Sequence, residues 1–172
     1  MTTRRTWTTR AETCADTPAI REILLAAFPT AEEARLVEAL RADESAWIEG
    51  LSVVVDDEDG RPAGHALLTR CHIDAEPALC LAPVAVRPEL QRTGAGSAAV
   101  RSVLRAAADM GERWVVVLGH PDYYPRFGFA RASVHGIRLP IEVPDEAAMA
   151  LALGSGGRLP RGTVRYAAPF GI

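Results

Sequence analysis

The 172 residues are enough for one domain and too few for two comfortable ones, so a single domain over 1–172 is expected. Hydrophobic residues at 48% and charged residues at 24% exclude a disordered chain, and a formal net charge of −3 argues against non-specific binding to nucleic acid or anionic lipid. No apolar run approaches the roughly 20 residues of a membrane helix, so no membrane partner is expected.

The N-terminus, Met-Thr-Thr-Arg-Arg-Thr-Trp, is polar and carries no apolar signal segment. Cys14, Cys71 and Cys80 are an odd number without metal-like spacing, so they read as reduced thiols in a cytoplasmic protein and no metal is expected. All 19 cationic side chains are arginine, asparagine is absent, and Gln91 is the only glutamine, a bias that a GC-rich genome would produce.

In chain order, Trp7–Arg10 reads as a short strand. Thr17-Pro18 reads as an N-cap with proline at the first helical position, and Ile20, Ile23, Leu24 and Ala27 follow at helical spacing. Thr30-Ala-Glu-Glu33 matches a capping box ahead of Leu36, Val37 and Leu40, so a second helix is predicted after a break near Phe28-Pro29. Ile48–Val55 and Gly64–His72 read as a hairpin about the acidic turn Asp56–Gly60. Leu79–Val86 is an apolar strand. Gly94-Ala-Gly96 opens a helix striped by Ala99, Val100, Val103, Leu104 and Ala107, with Gly111 as its C′ residue. Trp114–Leu118 is a buried strand, and the order strand, helix, strand predicts a parallel crossover. Ala147–Leu153 fits a helix by alanine content or a strand by alternation. Gly154–Gly157 reads as a loop and Thr163–Ala167 as a closing strand.

The central feature is Gln91-Arg-Thr-Gly94-Ala-Gly96-Ser97 at a helix start. A helix N-terminus offers unpaired N–H groups, and glycines remove the Cβ atoms that would keep a phosphate away from them. The bare pattern [Gln/Arg]-x-x-Gly-x-[Gly/Ala] arises by chance roughly 0.4 times in a chain of this composition. Arg61-Pro-Ala-Gly64-His-Ala66 matches it too, but enters a strand. Gly94-x-Gly96-x-x-Ala99 also fits a dinucleotide pattern. Arg87–Thr93 separate it from the preceding strand, though, where a nicotinamide or flavin fold places its first glycine directly at the strand end.

In that context, Leu81-Ala-Pro-Val-Ala-Val86-Arg-Pro88-Glu-Leu-Gln91-Arg-Thr-Gly94-Ala-Gly96 resembles the acetyl-CoA motif of GNAT-type N-acetyltransferases. Gly119-His-Pro-Asp-Tyr-Tyr124-Pro-Arg-Phe-Gly128-Phe129 resembles the tyrosine-x-x-x-glycine-phenylalanine element of the same family. Glu33-x-x-Leu-Val-x-x-Leu-Arg41, Gly64-His-Ala-Leu-Leu68 and Gly162-x-Val-x-Tyr166-x-x-x-Phe170 extend the resemblance over most of the chain, toward the YhbS-like bacterial subgroup.

The resemblance implies an α/β fold with a mixed, mostly antiparallel sheet, splayed between parallel strands 79–86 and 114–118 and flanked by helices. It implies acetyl-CoA as cosubstrate, with Pro83, Val84 and Val86 meeting the pantetheine arm and Gln91, Arg92, Thr93, Gly94, Gly96 and Ser97 around the diphosphate. Arg87, Arg92 and Arg126 are candidates for the remaining phosphate, with plain surface charge the competing reading for each. The implied reaction is direct attack by a primary amine through a tetrahedral intermediate. The Val84 N–H is the candidate oxyanion donor and Tyr124 the acid for the leaving thiolate. Tyr123 does not fit the spacing to Gly128-Phe129 and reads as packing. Glu33 is the leading base, against a capping role with Thr30; His65, His72, His120 or a water chain are alternatives. Cys80, mid-strand in an apolar run, reads as core rather than as a nucleophile. Glu32, Glu33 and Asp74 could attract a cationic amine. The acceptor, a small molecule or a peptide, has no diagnostic motif in Phe28–Glu33 or Leu153–Gly162, and a homodimer is plausible for the family. The competing class is a non-catalytic acyl-CoA-binding sensor or regulatory module.

Overall fold

The computed structural model describes residues 4–154 and 157–172. One sheet organises the chain. Its strands are β1 (Thr8–Ala11), β2 (Ser52–Asp56), β3 (Pro62–Ile73), β4 (Glu76–Val86), β5 (Trp114–Leu118), β6 (Ala130–Arg131), β7 (Ile137–Arg138), β8 (Ala148–Ala152) and β9 (Gly162–Arg165). The main path runs β1-β2-β3-β4-β5-β8-β6, with β9 pairing both the far end of β3 and the short β7. Among the described residues three α-helices flank it: α1 (Thr17–Ala27), α2 (Glu32–Ala42) and α3 (Ala95–Asp109). This is the mixed, mostly antiparallel α/β architecture that the family resemblance implies. Among the described residues no helix is long and apolar enough to cross a membrane.

The crossover β4–α3–β5 gives a parallel pair, and it is short. Leu79 pairs with Val115 and Cys80 with Val116, and the pairing stops there while β4 continues to Val86. The two strands part at this point. At the same place β4 carries an extra residue: Ala66 and Leu68 of β3 face Val84 and Leu81, so three steps on β4 oppose two on β3. Side chains alternate along a strand, so one extra residue reverses the phase. Leu79 and Leu81 face α3 before the bulge, and Val84 and Val86 pack toward the same side after it.

The alternation sorts the core into layers. Val53, Val55, Ala66 and Leu68 pack with Val100, Val103 and Ala107 of α3. Val54, Leu67 and Ala85 face the other way, onto Ile20, Ile23, Val37 and Leu40 of α1 and α2. A further cluster on that second face joins Cys80, Val116 and Ala150 to Val164, and Phe170 packs against both it and the α1–α2 cluster. Small Ala95 and Ala99 on the inward stripe of α3 are buried where the helix start meets β4.

Several boundaries differ from the sequence expectation. Asp16, not Thr17, is the N-cap of α1. The capping box forms one element earlier, where Asp16 accepts the Thr13 N–H at 2.7 Å. The box expected at Thr30–Glu33 is absent: Ala31 occupies the N-cap, and Thr30 Oγ1 accepts only the Glu32 N–H at 3.3 Å. Strand β2 starts at Ser52, because Ile48–Leu51 turns about Gly50 at φ +90°. Residues 148–152 form a strand, paired with β5 from Trp114↔Ala152 to Leu118↔Ala148, so alternation outweighs alanine content. Of the loop expected at Gly154–Gly157, residues 155 and 156 lie outside the described residues.

Candidate active site

The end of β4, the start of α3 and the loop after β5 enclose a cleft of about 610 Å³. Val84 and Val86, turned inward by the bulge, form one wall; Gln91, Arg92, Gly94, Gly96 and Ser97 form the floor; His120, Tyr123, Tyr124 and Arg126 form the other wall. Segments far apart in sequence thus meet where β4 and β5 separate.

The floor is a shaped turn. Gly94 sits at φ +94° as the N-cap of α3, a conformation that glycine adopts without a Cβ penalty, and Arg92 is also left-handed at φ +62°. Gln91 Nε2 donates to the Val86 carbonyl at 3.2 Å, tying the loop to the strand end. Thr93 Oγ1 donates to the Leu90 carbonyl, and the Thr93 carbonyl accepts Trp7 Nε1 at 3.0 Å. The polar groups of Thr93 therefore hold the turn, and neither Thr93 nor Pro83 is among the residues lining the cleft. Pro83, lacking an N–H, has only its carbonyl to offer a ligand.

Gly96 serves space rather than backbone angle. A Cβ there would sit 3.3 Å from Val86 Cγ2 and 3.4 Å from the Tyr123 hydroxyl, closing the helix start. The fit to a diphosphate is a glycine-lined helix N-terminus with open N–H groups and two arginines on the same cleft. Those arginines are Arg92 and Arg126. Arg87 is drawn elsewhere: its Nε donates to the Pro62 carbonyl at 2.8 Å and its Nη2 lies 3.7 Å from Glu22.

Tyr124 opens a short 3-10 turn, Tyr124–Phe127, and its ring stands edge-on to Phe129 at 5.9 Å. Burial, with a smaller contribution from Tyr123, pushes its phenol up to about 12. Tyr123 is more than packing. Its hydroxyl shares a 3.0 Å hydrogen bond with Ser97 Oγ. No local pattern announces that bond, which spans 26 residues of sequence. Trp7, whose indole clasps the glycine turn, likewise makes a contact that no local pattern announces.

Glu33 lies on α2, apart from the cleft-lining residues. Its Oε2 is buried and has no hydrogen-bond partner among the described residues. Among the histidines only His120 lines the cleft. His65 is fully buried, with Nε2 2.7 Å from Ser52 Oγ; burial, and then Arg41, pulls its pKa down to about 3. His72 is half-buried on β3 opposite Pro77 and Arg165. Asp74 is a turn residue at φ +50° whose Oδ1 accepts the Thr163 N–H at 2.9 Å. Cys80 is buried in the core, and desolvation raises its thiol well above the usual range, which makes it a poor nucleophile at neutral pH. The glycine of the competing match, Gly64, lies inside β3, where a Cβ would meet the Ala85 carbonyl at 2.9 Å. No group of three or more His, Cys, Asp or Glu that could hold a metal occurs among the described residues.

A parallel pair that parts beside a glycine-turned helix start defines an acetyltransferase-type α/β fold. The chain belongs to the acetyltransferase (GNAT) family, whose model matches residues 17–129. It is 40% identical over 136 residues to the uncharacterized N-acetyltransferase YjhQ of Escherichia coli (strain K12), covering 76% of this chain and 74% of that protein. It is 31% identical over 131 residues to the uncharacterized N-acetyltransferase YhbS of the same strain, covering 75% and 77%. The crystal structure of Escherichia coli YhbS in complex with CoA superposes with a TM-score of 0.89 at 26% identity, over 100% of this chain and 96% of that one. A GNAT family acetyltransferase from Brucella melitensis in complex with acetyl-CoA gives 0.78 at 29%, over 96% and 98%. The likeness places the chain in the YhbS-like subgroup.

Proposed function

We propose that the protein transfers the acetyl group of acetyl-CoA to a primary amine on a small molecule or peptide. The observation that carries this reading is the single cleft joining the β4 edge, the glycine turn of α3 and a proton-holding tyrosine. When bound, acetyl-CoA supplies a thioester whose carbonyl carbon is open to attack by the amine nitrogen, after which the carbon–sulfur bond breaks and CoA leaves as the thiol.

The chain's own residues have separable tasks. Gln91, Arg92, Gly94, Gly96 and Ser97 would hold the diphosphate, using backbone N–H groups and the positive end of α3. Val84 and Val86 would align the amide-bearing arm, and the Val84 N–H would donate to the carbonyl oxygen as negative charge grows there. Like any phenol, Tyr124 keeps its proton at neutral pH, and burial pushes it further in that direction, up to about 12; it would give that proton to the departing sulfur. Glu33, which does not line the cleft, would take the proton lost by the amine through intervening water. The competing capping role is not realised, and its buried Oε2 is left without a partner.

Thiol release from acetyl-CoA against a panel of polyamines, aminoglycosides, amino acids and peptide N-termini tests the proposal. Amine-dependent release with at least one class is expected. Tight CoA binding with no release on any amine would favour a binding module instead.

A further inference from the structure

Tyr123 makes three contacts that converge on one side of the cleft. Its hydroxyl lies 3.0 Å from Ser97 Oγ, in the first turn of α3. The same hydroxyl would be 3.4 Å from a Cβ on Gly96, so it lies against the opening that the glycine creates. The Arg126 guanidinium carbon stands 4.4 Å over the Tyr123 ring, and Arg126 Nε donates to the Tyr123 carbonyl at 2.8 Å. Among the described residues, no hydrogen bond or ion pair engages the two terminal nitrogens of Arg126. Arg126 is exposed, and a long exposed arginine would otherwise sample many rotamers. Stacking on the ring and bonding to the carbonyl restrict it to the cleft wall.

We infer that Tyr123 is a cofactor-positioning residue. Its hydroxyl and that of Ser97 form a hydrogen-bonded pair at the start of α3, in which one hydroxyl orients the other and one proton is left to donate to the ligand, and its ring and carbonyl hold Arg126 on the same cleft to meet the phosphates of acetyl-CoA. This rests on the proposed acetyl-CoA reading and adds to it a division of labour between adjacent tyrosines. Tyr124 acts on the departing sulfur, and Tyr123 acts on the distal, anionic end of the same molecule. It also favours Arg126, held on the cleft beside Arg92, over the tied-off Arg87 for a phosphate of the cofactor, the 3′-phosphate being the one examined with 3′-dephospho-CoA.

The test measures affinity for CoA and for 3′-dephospho-CoA by calorimetry, together with KM and kcat on a confirmed acceptor. Tyr123→Phe removes the hydroxyl and keeps the ring. It should weaken both ligands about 3- to 30-fold, as for loss of one oriented hydrogen bond to a charged group, and leave saturated kcat within about twofold. Ser97→Ala should weaken both ligands by a similar factor, and the double variant should lose little more than either single one. Tyr123→Ala should in addition erase the preference for CoA over 3′-dephospho-CoA, as should Arg126→Ala. The inference is overturned if Tyr123→Phe binds CoA like the wild type, if it lowers kcat at unchanged KM, or if the wild type has no preference between the two ligands. It is also overturned if Tyr123→Ala keeps a preference that Arg126→Ala loses. Failure of the wild type to bind either ligand would instead remove the acetyl-CoA reading itself.

Discussion

Gly119 and Tyr124 occupy one volume: a Cβ on residue 119 would lie 2.4 Å from Tyr124 Cε2 and 3.0 Å from Cδ2. The glycine at the end of β5 is there for the ring, and not for an unusual backbone angle. Two variants therefore probe one group. Tyr124→Phe removes the proton donor and should lower kcat on the order of 10- to 1,000-fold, since a thiolate leaves tolerably well unaided. KM for acetyl-CoA should change little. Gly119→Ala keeps the hydroxyl but displaces it, so kcat should fall while CoA affinity is held. Steady-state kinetics decide this: full kcat in both variants would dismiss Tyr124 as the acid. A loss that follows the melting temperature would make the tyrosine a packing residue.

The two glycines of the turn should fail in different ways. Gly96→Val places a branched side chain between Val86 and the Tyr123 hydroxyl, filling the helix start without backbone strain. It should fold and lose CoA binding. Gly94→Ala strains a residue at φ +94°, at a cost of about 1 kcal/mol, with only Trp7 nearby, its Nε1 3.7 Å from the new Cβ. It should lose stability first and affinity second. Calorimetry with CoA on folded Gly96→Val is the decisive measurement, and unchanged affinity would displace the cofactor from this turn.

Glu33→Gln separates chemistry from structure. Because no capping bond is made and Oε2 is buried without a partner, replacing the carboxylate should leave stability unchanged or slightly raised. CoA affinity should also hold. Activity should fall, most at low pH, where free amine is scarcest. A pH–rate profile that superposes on the wild type would take Glu33 out of the reaction.

What the sequence discloses here is what local patterns encode. The glycine turn and the stripe on α3 depend on residues within a few positions of each other, the crossover follows from the order of the elements so defined, and all three appear where expected. The bulge in β4 is harder to see: Leu79–Val86 reads as one apolar run, and only the partner register shows that Val84 and Val86 have changed phase. Contacts between distant, ordinary residues are harder still. Trp7 and Thr93 are 86 positions apart, and nothing in either neighbourhood points to the other. The Thr30–Glu33 pattern shows the opposite failure: a correct local signature is left unused, because the chain enters α2 one residue later.

A buried network sets the last prediction. Arg41 donates to Glu12, with Nη2 3.2 Å from Oε1; Ser52 Oγ donates to the same carboxylate and lies 2.7 Å from His65 Nε2. A carboxylate only accepts, so Ser52 gives it its proton and accepts one from His65 Nε2–H. Either protonation state of the ring can make that donation; what keeps His65 neutral is its complete burial, with an Nδ1 that has no partner among the described residues to receive a second proton's hydrogen bond. Its folded pKa is about 3, against an ordinary value near 6.5, so between these limits the unfolded chain binds a proton that the folded protein does not. Stability must rise with pH across that window and fall as the solution is acidified below about 6.5. Asp16, held down to about 2 by Arg10, adds a similar loss only as pH drops below about 4, so the range from 6.5 to 5 isolates the histidine. Urea unfolding at pH 7.5, 6 and 5 should show decreasing stability in the wild type and a flatter profile in His65→Gln, whatever that variant's absolute stability. A wild-type profile flat over this range, or an equal slope in the variant, would mean that the imidazole is not held neutral by its burial.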